Sequence, residues 1–289
     1  MTDIPTIEQI SKVLTELNEL NLQDVSYDYI FQKLATELKF IPFVTAILKK
    51  GHYIERGRIN GQEQVFNSEY ELSYRKDNEN ITKFGRANRP NQSMFYGAIK
   101  SEFIEYPRIV NLFEISGLFR DGDLTSDGEF ILTVGKWKIK EDFEVVEIVF
   151  DKKTMERIPE IKKAFEYHLA NLKKDFPDKI EEFSAVLEFF SNEFAKKGIT
   201  SDNDYKISAV YTNMAIENRG HNGVIYPSVR TEGQGRNVVL SIEAVDKYLE
   251  LKKVAMFKII KKGDSVKISN IAIALELGEN NAEFNWIYS

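Results

Sequence analysis

The chain contains no cysteine, and this absence removes several kinds of chemistry at once. Disulfide bonds, thiol nucleophiles and cysteine-ligated zinc or iron–sulfur clusters are all excluded. Only three histidines are present, and their positions show no spacing typical of a catalytic base or a metal site. We therefore expect no bound metal and no cofactor.

Long apolar runs and an excess of basic residues are also absent. No stretch approaches the roughly 18 uncharged apolar residues of a membrane helix, and the first residues do not resemble a secretory signal. The net charge of −6 gives no general attraction for nucleic acid. We expect a cytoplasmic protein that binds neither membranes nor nucleic acid directly.

The spacing of apolar residues predicts blocks of helix and blocks of strand. Helical spacing occupies residues 6–20 and 27–38, returns between 158 and 194, and recurs from 205 to 218. Strand-like runs lie between 44 and 150 (VTAIL, YELSY, SMFYGAI, FILTV, WKIK and VVEIVF) and after residue 236 (NVVLSI, VAMFKII and VKISNIAIAL). This arrangement predicts an α+β fold.

We expect this fold to be divided unequally along the chain. Residues 1–42 form an N-terminal helical extension in this interpretation, and residues 43–289 form one domain. Within that domain, the helical stretch at about 155–200 is expected to be an insertion.

Two segments contain residues suited to binding an anionic ligand. In FGRANRPNQSMFYGAI, Arg86 and Arg89 precede a strand that includes Tyr96, and arginine side chains bind phosphate oxygens well. In GVIYPSVRTEGQGRNVVL, Ser228 lies outside any G-x-S-x-G motif, which argues against a serine hydrolase. Solvated loop arginines and a core tyrosine are the alternative interpretation of the first segment.

Together these segments resemble the RES family of bacterial proteins, named for arginine, glutamate and serine. The match spans roughly residues 50–260, and the YPS block is its most specific part. The matching residues are Arg56, Arg58, Arg86, Tyr96, Ser228 and Asn237. The family's acidic residue has three candidates, Glu102, Glu105 and Glu114; we assign it to Glu105, although the spacing after the tyrosine is shorter than usual.

The resemblance implies an ADP-ribosyltransferase-like fold with a mixed or antiparallel sheet core. It also implies cleavage of the nicotinamide–ribose bond of NAD⁺ by water or phosphate, by a toxin that an antitoxin protein blocks. Arg86, Tyr96, Glu105 and Ser228 would then be the catalytic set. Arg56, Arg58 and Asn237 would bind substrate, and NAD⁺ would be a substrate rather than a cofactor.

Two other functions remain open at this point. The same residues could transfer ADP-ribose to a macromolecule, or the domain could be a non-catalytic binding module. The sequence also leaves open whether the protein is a homo-oligomer.

Overall fold

The computed structural model describes residues 4–119, 126–274 and 283–289. It is 40% helical and 26% strand, which confirms the predicted α+β class. The chain divides into two compact units, and each is assembled from three separate stretches. The helical unit comprises the described residues of 1–46, 77–93 and 144–229, and the sheet unit comprises those of 47–76, 94–143 and 230–289.

The regular elements have the following bounds. The α-helices are α1 (Ile7–Glu19), α2 (Tyr27–Lys33), α3 (Glu69–Leu72), α4 (Pro107–Ile115), α5 (Lys152–Arg157), α6 (Pro159–Asp175), α7 (Ile180–Ala195), α8 (Lys206–Asn213) and α9 (Ile242–Tyr248). The strands are β1 (Thr45–Leu48), β2 (Tyr53–Ile59), β3 (Phe95–Ile99), β4 (Gly128–Ile139), β5 (Phe143–Glu147), β6 (Gly223–Pro227), β7 (Arg236–Leu240), β8 (Leu249–Lys262), β9 (Ser265–Ala274) and β10 (Ile287–Tyr288).

The N-terminal helices begin where the sequence predicts. Thr6 caps α1, and its side chain and that of Gln9 form a reciprocal capping box. The buried face of α1 packs against α7, and α2 packs against α8, so both helices belong to the core of the helical unit. Short π-helical turns extend α2 over Leu34–Leu38 and α8 over Met214–Asn218.

The predicted helices between residues 158 and 194 are also confirmed. Pro159 occupies the first turn of α6, where its missing N–H leaves no hydrogen bond unmade. Pro177 lies between α6 and α7 in a short 3₁₀ turn. Apolar side chains of both helices pack on the segment that follows β5. Phe150 of that segment, Ile161 of α6 and Phe183 of α7 are buried in this contact. Strands β5 and β6 pair in parallel within this unit.

The sheet unit consists mainly of antiparallel strands. Its strand order is β7, β3, β2, β4, β8, β9 and β10, and each neighbouring pair in this order is antiparallel. Helix α4 packs on β2, β3 and β7. The glycine at position 57 permits this approach, because a Cβ there would lie 3.3 Å from Cβ of Asn111 and 3.3 Å from Cδ1 of Ile115.

One predicted strand is wrong. The run YELSY contains alternating apolar residues, yet Glu69–Leu72 is the short helix α3. Its start is stabilised by Glu71, whose Oε2 accepts hydrogen bonds from the backbone amides of Asn67 and Ser68. This capping box outweighs the strand-like pattern over so short a run.

The predicted domain boundaries stay a prediction. The helical residues at about 155–200 belong to the same compact unit as most of the N-terminal 42 residues. The predicted ADP-ribosyltransferase-like arrangement also stays a prediction. The last residue of the predicted strand VKISNIAIAL lies outside the described residues.

Candidate functional site

Tyr96 and Asn237 lie on neighbouring strands and on the same face of the sheet unit. Strands β3 and β7 pair antiparallel, with Tyr96 opposite Val239 and Ala98 opposite Asn237. Side chains alternate between the two faces along a strand, so residues two apart share a face. Tyr96 and Asn237 are therefore diagonal neighbours, with Cα atoms about 7–8 Å apart, a separation that an aromatic side chain can span.

The Asn237 amide holds a carboxylate on this face. Its Nδ2 donates a hydrogen bond to Oε1 of Glu114 at 2.7 Å. Glu114 lies near the end of α4 and is partly exposed, whereas Asn237 is buried. A hydrogen bond to an ionised acceptor is stronger than one between neutral groups, so the amide restrains the position of the carboxylate. The sheet unit thus places Tyr96 and Asn237 on one face, and Asn237 is bonded to an acid.

A second carboxylate fixes α4 over β2. Oε2 of the buried Glu55 accepts a hydrogen bond at 2.7 Å from the backbone amide of Arg108, and its Oε1 lies 3.4 Å from Nη1 of the same residue. Nδ2 of Asn111 donates to the carbonyl oxygen of Glu55 at 2.8 Å. A carboxylate at a helix start also interacts favourably with the unpaired amides there. These contacts set the position of α4, and hence of Glu114.

The other two acid candidates lie on the segment before α4. Glu102 and Glu105 are both exposed. The hydroxyl of Ser101 anchors the start of this segment, because it donates to the carbonyl oxygen of Gln234 at 2.6 Å and accepts from the amide of Ile104 at 2.9 Å. Of the three candidates, Glu114 is the one that the structure bonds to Asn237.

Arg56 and Arg58 lie on the opposite face of β2. Glu55 contacts α4, so the alternation along β2 directs the two arginines away from that helix. Arg56 donates to the carbonyl oxygen of Tyr96 at 2.6 Å, and Arg58 donates to the carbonyl oxygen of Glu71. Burial, together with the charge of Arg58, lowers the pKa of Arg56 to about 9, so its guanidinium stays charged at neutral pH. Both arginines stabilise the sheet unit's backbone on this face.

Arg86 belongs to the helical unit and binds the end of a helix. Its Nη1 donates to the carbonyl oxygen of Phe194 at 2.6 Å, and its Nη2 donates to that of Lys196 at 3.1 Å. The guanidinium also lies 5.0 Å from the ring centroid of Tyr205. Unpaired carbonyls at a helix C-terminus favour a nearby cation. Arg86 therefore caps α7.

Ser228 is also in the helical unit, directly after β6, and it is fully buried. Burial on this scale follows from the apolar strand that precedes it, since all but the last residue of β6 are buried. Arg86, Arg89 and Ser228 therefore belong to the helical unit, and the other residues of the RES pattern belong to the sheet unit.

No protein-family model and no curated protein matches the chain. The RES resemblance therefore rests only on the residues quoted from the sequence. In the described parts of the chain, no group of three or more acidic or histidine side chains is placed to hold a metal ion. None of the helices described here has the length and apolar character that crossing a bilayer requires.

Sequence reasoning missed the residues that position the acid. Glu55, Arg108 and Asn111 were not singled out, because none belongs to a recognisable motif. One signal was available: Pro107 stands at the first position of α4, and proline is common there. It would have placed Glu114 on a helix and the other two acids outside it.

Proposed function

We propose that the chain cleaves the nicotinamide–ribose bond of NAD⁺, and that Glu114 is the acidic residue of the reaction. The hydrogen bond from Asn237 to Glu114, on the face that also carries Tyr96, is the observation that supports this most. Two residues of the RES pattern, far apart in sequence, lie close together, and a carboxylate is bonded to one of them. This assignment replaces Glu105, whose side chain lies on the exposed segment before α4.

The chemistry requires a carboxylate beside the ribose. As the bond between ribose C1′ and the pyridinium nitrogen breaks, its electron pair stays on nitrogen and neutral nicotinamide leaves. Positive charge then develops on the ribose, as in glycoside hydrolysis. An oriented anion lowers the energy of this cation. Addition of water to C1′, with loss of a proton, gives ADP-ribose. Addition of phosphate to the same carbon gives ADP-ribose-1″-phosphate.

In the proposed reaction Glu114 stabilises the ribosyl cation, and the hydrogen bond from Asn237 supports a role for Asn237 in holding Glu114 in place. Stacking of the Tyr96 ring on nicotinamide is proposed from the resemblance. Arg56 and Arg58 bind backbone carbonyls on the other face, which favours a structural role for them over the substrate binding first expected. For Arg86 and Ser228, pyrophosphate binding and orientation of nearby groups are proposed from the resemblance alone.

The biological role that we propose also comes from the resemblance. A chain of this activity would deplete NAD⁺ in the cytoplasm of a bacterium, as a toxin does, and an antitoxin protein would block its site. Because the chain is acidic, such an antitoxin, rather than this chain, would supply any DNA binding.

The test is NAD⁺ consumption by the purified full chain, with and without phosphate, with products separated by chromatography. The variant Glu114→Gln keeps the shape of the side chain and removes its charge, and we expect a loss of at least about 100-fold. Glu105→Gln is the matched control and should retain activity. Thermal melting of both variants checks that each is folded.

The other outcomes discriminate among the alternatives. If Glu105→Gln is inactive and Glu114→Gln is active, the choice of acid is wrong while the reaction stands. If ADP-ribose appears on a macromolecule and not as a free product, the protein is a transferase. If NAD⁺ persists with every acceptor tested, the non-catalytic binding module becomes the better interpretation.

A further inference from the structure

Strand β9 has an outer edge that is only partly paired. Its inner edge pairs with β8 from Ser265 to Ala274, with a register shift at Ile271, whereas β10 pairs only with Ala272 and Ile273 on the outer edge. The backbone amide of Ser289 adds one hydrogen bond, at 3.0 Å, to the carbonyl oxygen of Ile271. Among the described residues, no strand pairs with the outer edge between residues 265 and 270.

The hairpin geometry identifies which backbone groups point outward. Strands β8 and β9 are joined by the two-residue turn at 263–264, and Gly263 has φ of +54°, as the first position of a type II′ turn requires. Such a turn is closed by a doubly hydrogen-bonded pair, here Lys262 and Ser265. Bonding then alternates, so the N–H and C=O groups of Val266, Ile268 and Asn270 are directed away from β8.

The two faces of this edge differ in chemistry. Val266 and Ile268 are opposite residues 261 and 259 of β8, and they are 41% and 48% exposed. Ile268 lies opposite Ile259, which belongs to a buried apolar cluster on this face. On the other face, Lys262 and Lys267 are exposed. An extended chain lying along this edge would therefore meet apolar side chains on one face and lysines on the other.

We propose that the outer edge of β9 binds an extended peptide segment of a partner protein, in which apolar and acidic residues alternate. The segment adds as an antiparallel strand, and its main chain bonds to Val266, Ile268 and Asn270. Its apolar side chains cover Val266 and Ile268, while its carboxylates face Lys262 and Lys267. An unpaired edge is a template for such pairing, and lysines on the edge select against partners without acidic residues.

A second copy of the chain fits this edge less well. An antiparallel pair centred on Lys267 places that lysine opposite its own copy, and like charges directly opposite are destabilising. An antiparallel pair centred on Ile268 places Ser265 of the copy opposite Ile271. The carbonyl oxygen of Ile271 already accepts a hydrogen bond from Ser289, so this pairing conflicts with a bond within the chain. The charge and the pairing of the edge thus favour a different, acidic strand.

The probe for this site is a fluorescein-labelled seven-residue peptide in which glutamate and isoleucine alternate. Its binding to the full chain is measured by fluorescence anisotropy. Two further peptides carry N-methyl groups, one on every isoleucine and the other on every glutamate. Residues opposite each other in antiparallel strands share a face, so the isoleucines direct their amides toward β9. N-methylation of isoleucine should abolish binding, and N-methylation of glutamate should preserve it.

Charge reversal tests the same site from the protein side. Lys267→Glu should weaken binding of the unmodified peptide by about tenfold, because an attraction becomes a repulsion. Lys50→Glu changes the charge equally at an exposed turn of the same unit and should leave binding unchanged. Equal weakening by both variants, equal binding of both methylated peptides, or no saturable binding would overturn the proposal. A dimer in light scattering that Lys267→Glu dissociates, without peptide binding, would assign the edge to a second copy instead.

Discussion

The carboxylate of Glu55 on β2 accepts a hydrogen bond at 2.7 Å from the backbone amide of Arg108, in the first turn of α4. Only 7% of the Glu55 side chain is exposed, so the contact forms where water cannot easily replace it. The same helix carries Glu114 near its other end. A buried acid in the sheet thus determines where the proposed catalytic acid lies.

Replacing Glu55 by alanine should destabilise the sheet unit. The amide of Arg108 would lose its acceptor at a partly buried helix start, which lowers the free energy of unfolding by about 1–3 kcal/mol. Urea denaturation measures this difference. Glu129→Ala is the control, because Glu129 forms an exposed ion pair with Lys258 and its removal should change stability little. Equal losses in the two variants would contradict the role given to Glu55.

Gly97→Ala should also destabilise the sheet unit, through crowding. A Cβ at this position would lie 2.7 Å from Cγ2 of Ile54 and 3.0 Å from the carbonyl oxygen of Glu55. Overpacking of this kind costs about 1–3 kcal/mol in the free energy of unfolding. At Gly117 an added Cβ meets nothing within 4 Å, so Gly117→Ala should be nearly neutral. A shift of the urea midpoint by Gly117→Ala as large as that by Gly97→Ala would refute the crowding argument.

The sequence predicts the regular elements well where a long pattern or a capping signal supports them. The helices α1, α6 and α7 all have a long apolar pattern, α1 also has a capping box, and the structure confirms all three. The run YELSY was misread because five residues contain too little periodicity to distinguish strand from helix. There the capping hydrogen bonds of Glu71 decide the outcome.

The candidate site was predictable only in part. Tyr96 and Asn237 were identified from the motif, but their diagonal relationship depends on the register of β3 and β7, which the sequence does not encode locally. The choice among three acids likewise needs the tertiary contact between Asn237 and Glu114. The partners of Arg86 are backbone carbonyls. Every residue has a backbone carbonyl, so no sequence pattern could identify these partners.

Arg86→Met should destabilise the helical unit, whatever the protein's activity. The carbonyl oxygens of Phe194 and Lys196 would lose a charged donor, and hydrogen bonds to charged groups contribute about 1.5–3 kcal/mol each. Arg89→Met is the matched control, because Arg89 forms an ion pair with Glu217 in which both side chains are 41% exposed. Thermal and urea unfolding compare the two variants. Wild-type stability in Arg86→Met would show that the cap on α7 is dispensable.

His221 should make the helical unit sensitive to mild acid. Burial lowers the pKa of His221 below its usual value of 6.5. The charge of Glu144 raises this pKa, and the charge of Arg219 lowers it further. As the pH falls below 6.5, His221 therefore takes up a proton in the unfolded state before it does so in the folded state. The free energy of unfolding is highest above pH 6.5 and decreases as the pH falls from 6.5 to the pKa of the folded state.

The variant His221→Gln should reduce this loss. The measurement is the change in urea midpoint between about pH 7.5 and about pH 5, which His221→Gln should make smaller than in the wild type. His52→Gln is the control, since His52 is exposed in a turn of the sheet unit. An unchanged pH dependence in His221→Gln would rule out His221 as its source.

Asn237→Asp should alter the proposed reaction through Glu114. It places a second carboxylate where the amide now donates at 2.7 Å, and two carboxylates at that distance resist ionising together. The pKa of the pair rises, so a reaction that needs ionised Glu114 should be slowed near neutral pH and regain rate as the pH increases. The rising limb of kcat/KM against pH should therefore move to higher pH.

Asn222→Asp is the control, because Nδ2 of Asn222 donates to the backbone carbonyl of Glu144 rather than to a carboxylate. If Asn237→Asp only lowers stability and leaves the pH profile in place, Asn237 does not act on the ionisation of Glu114.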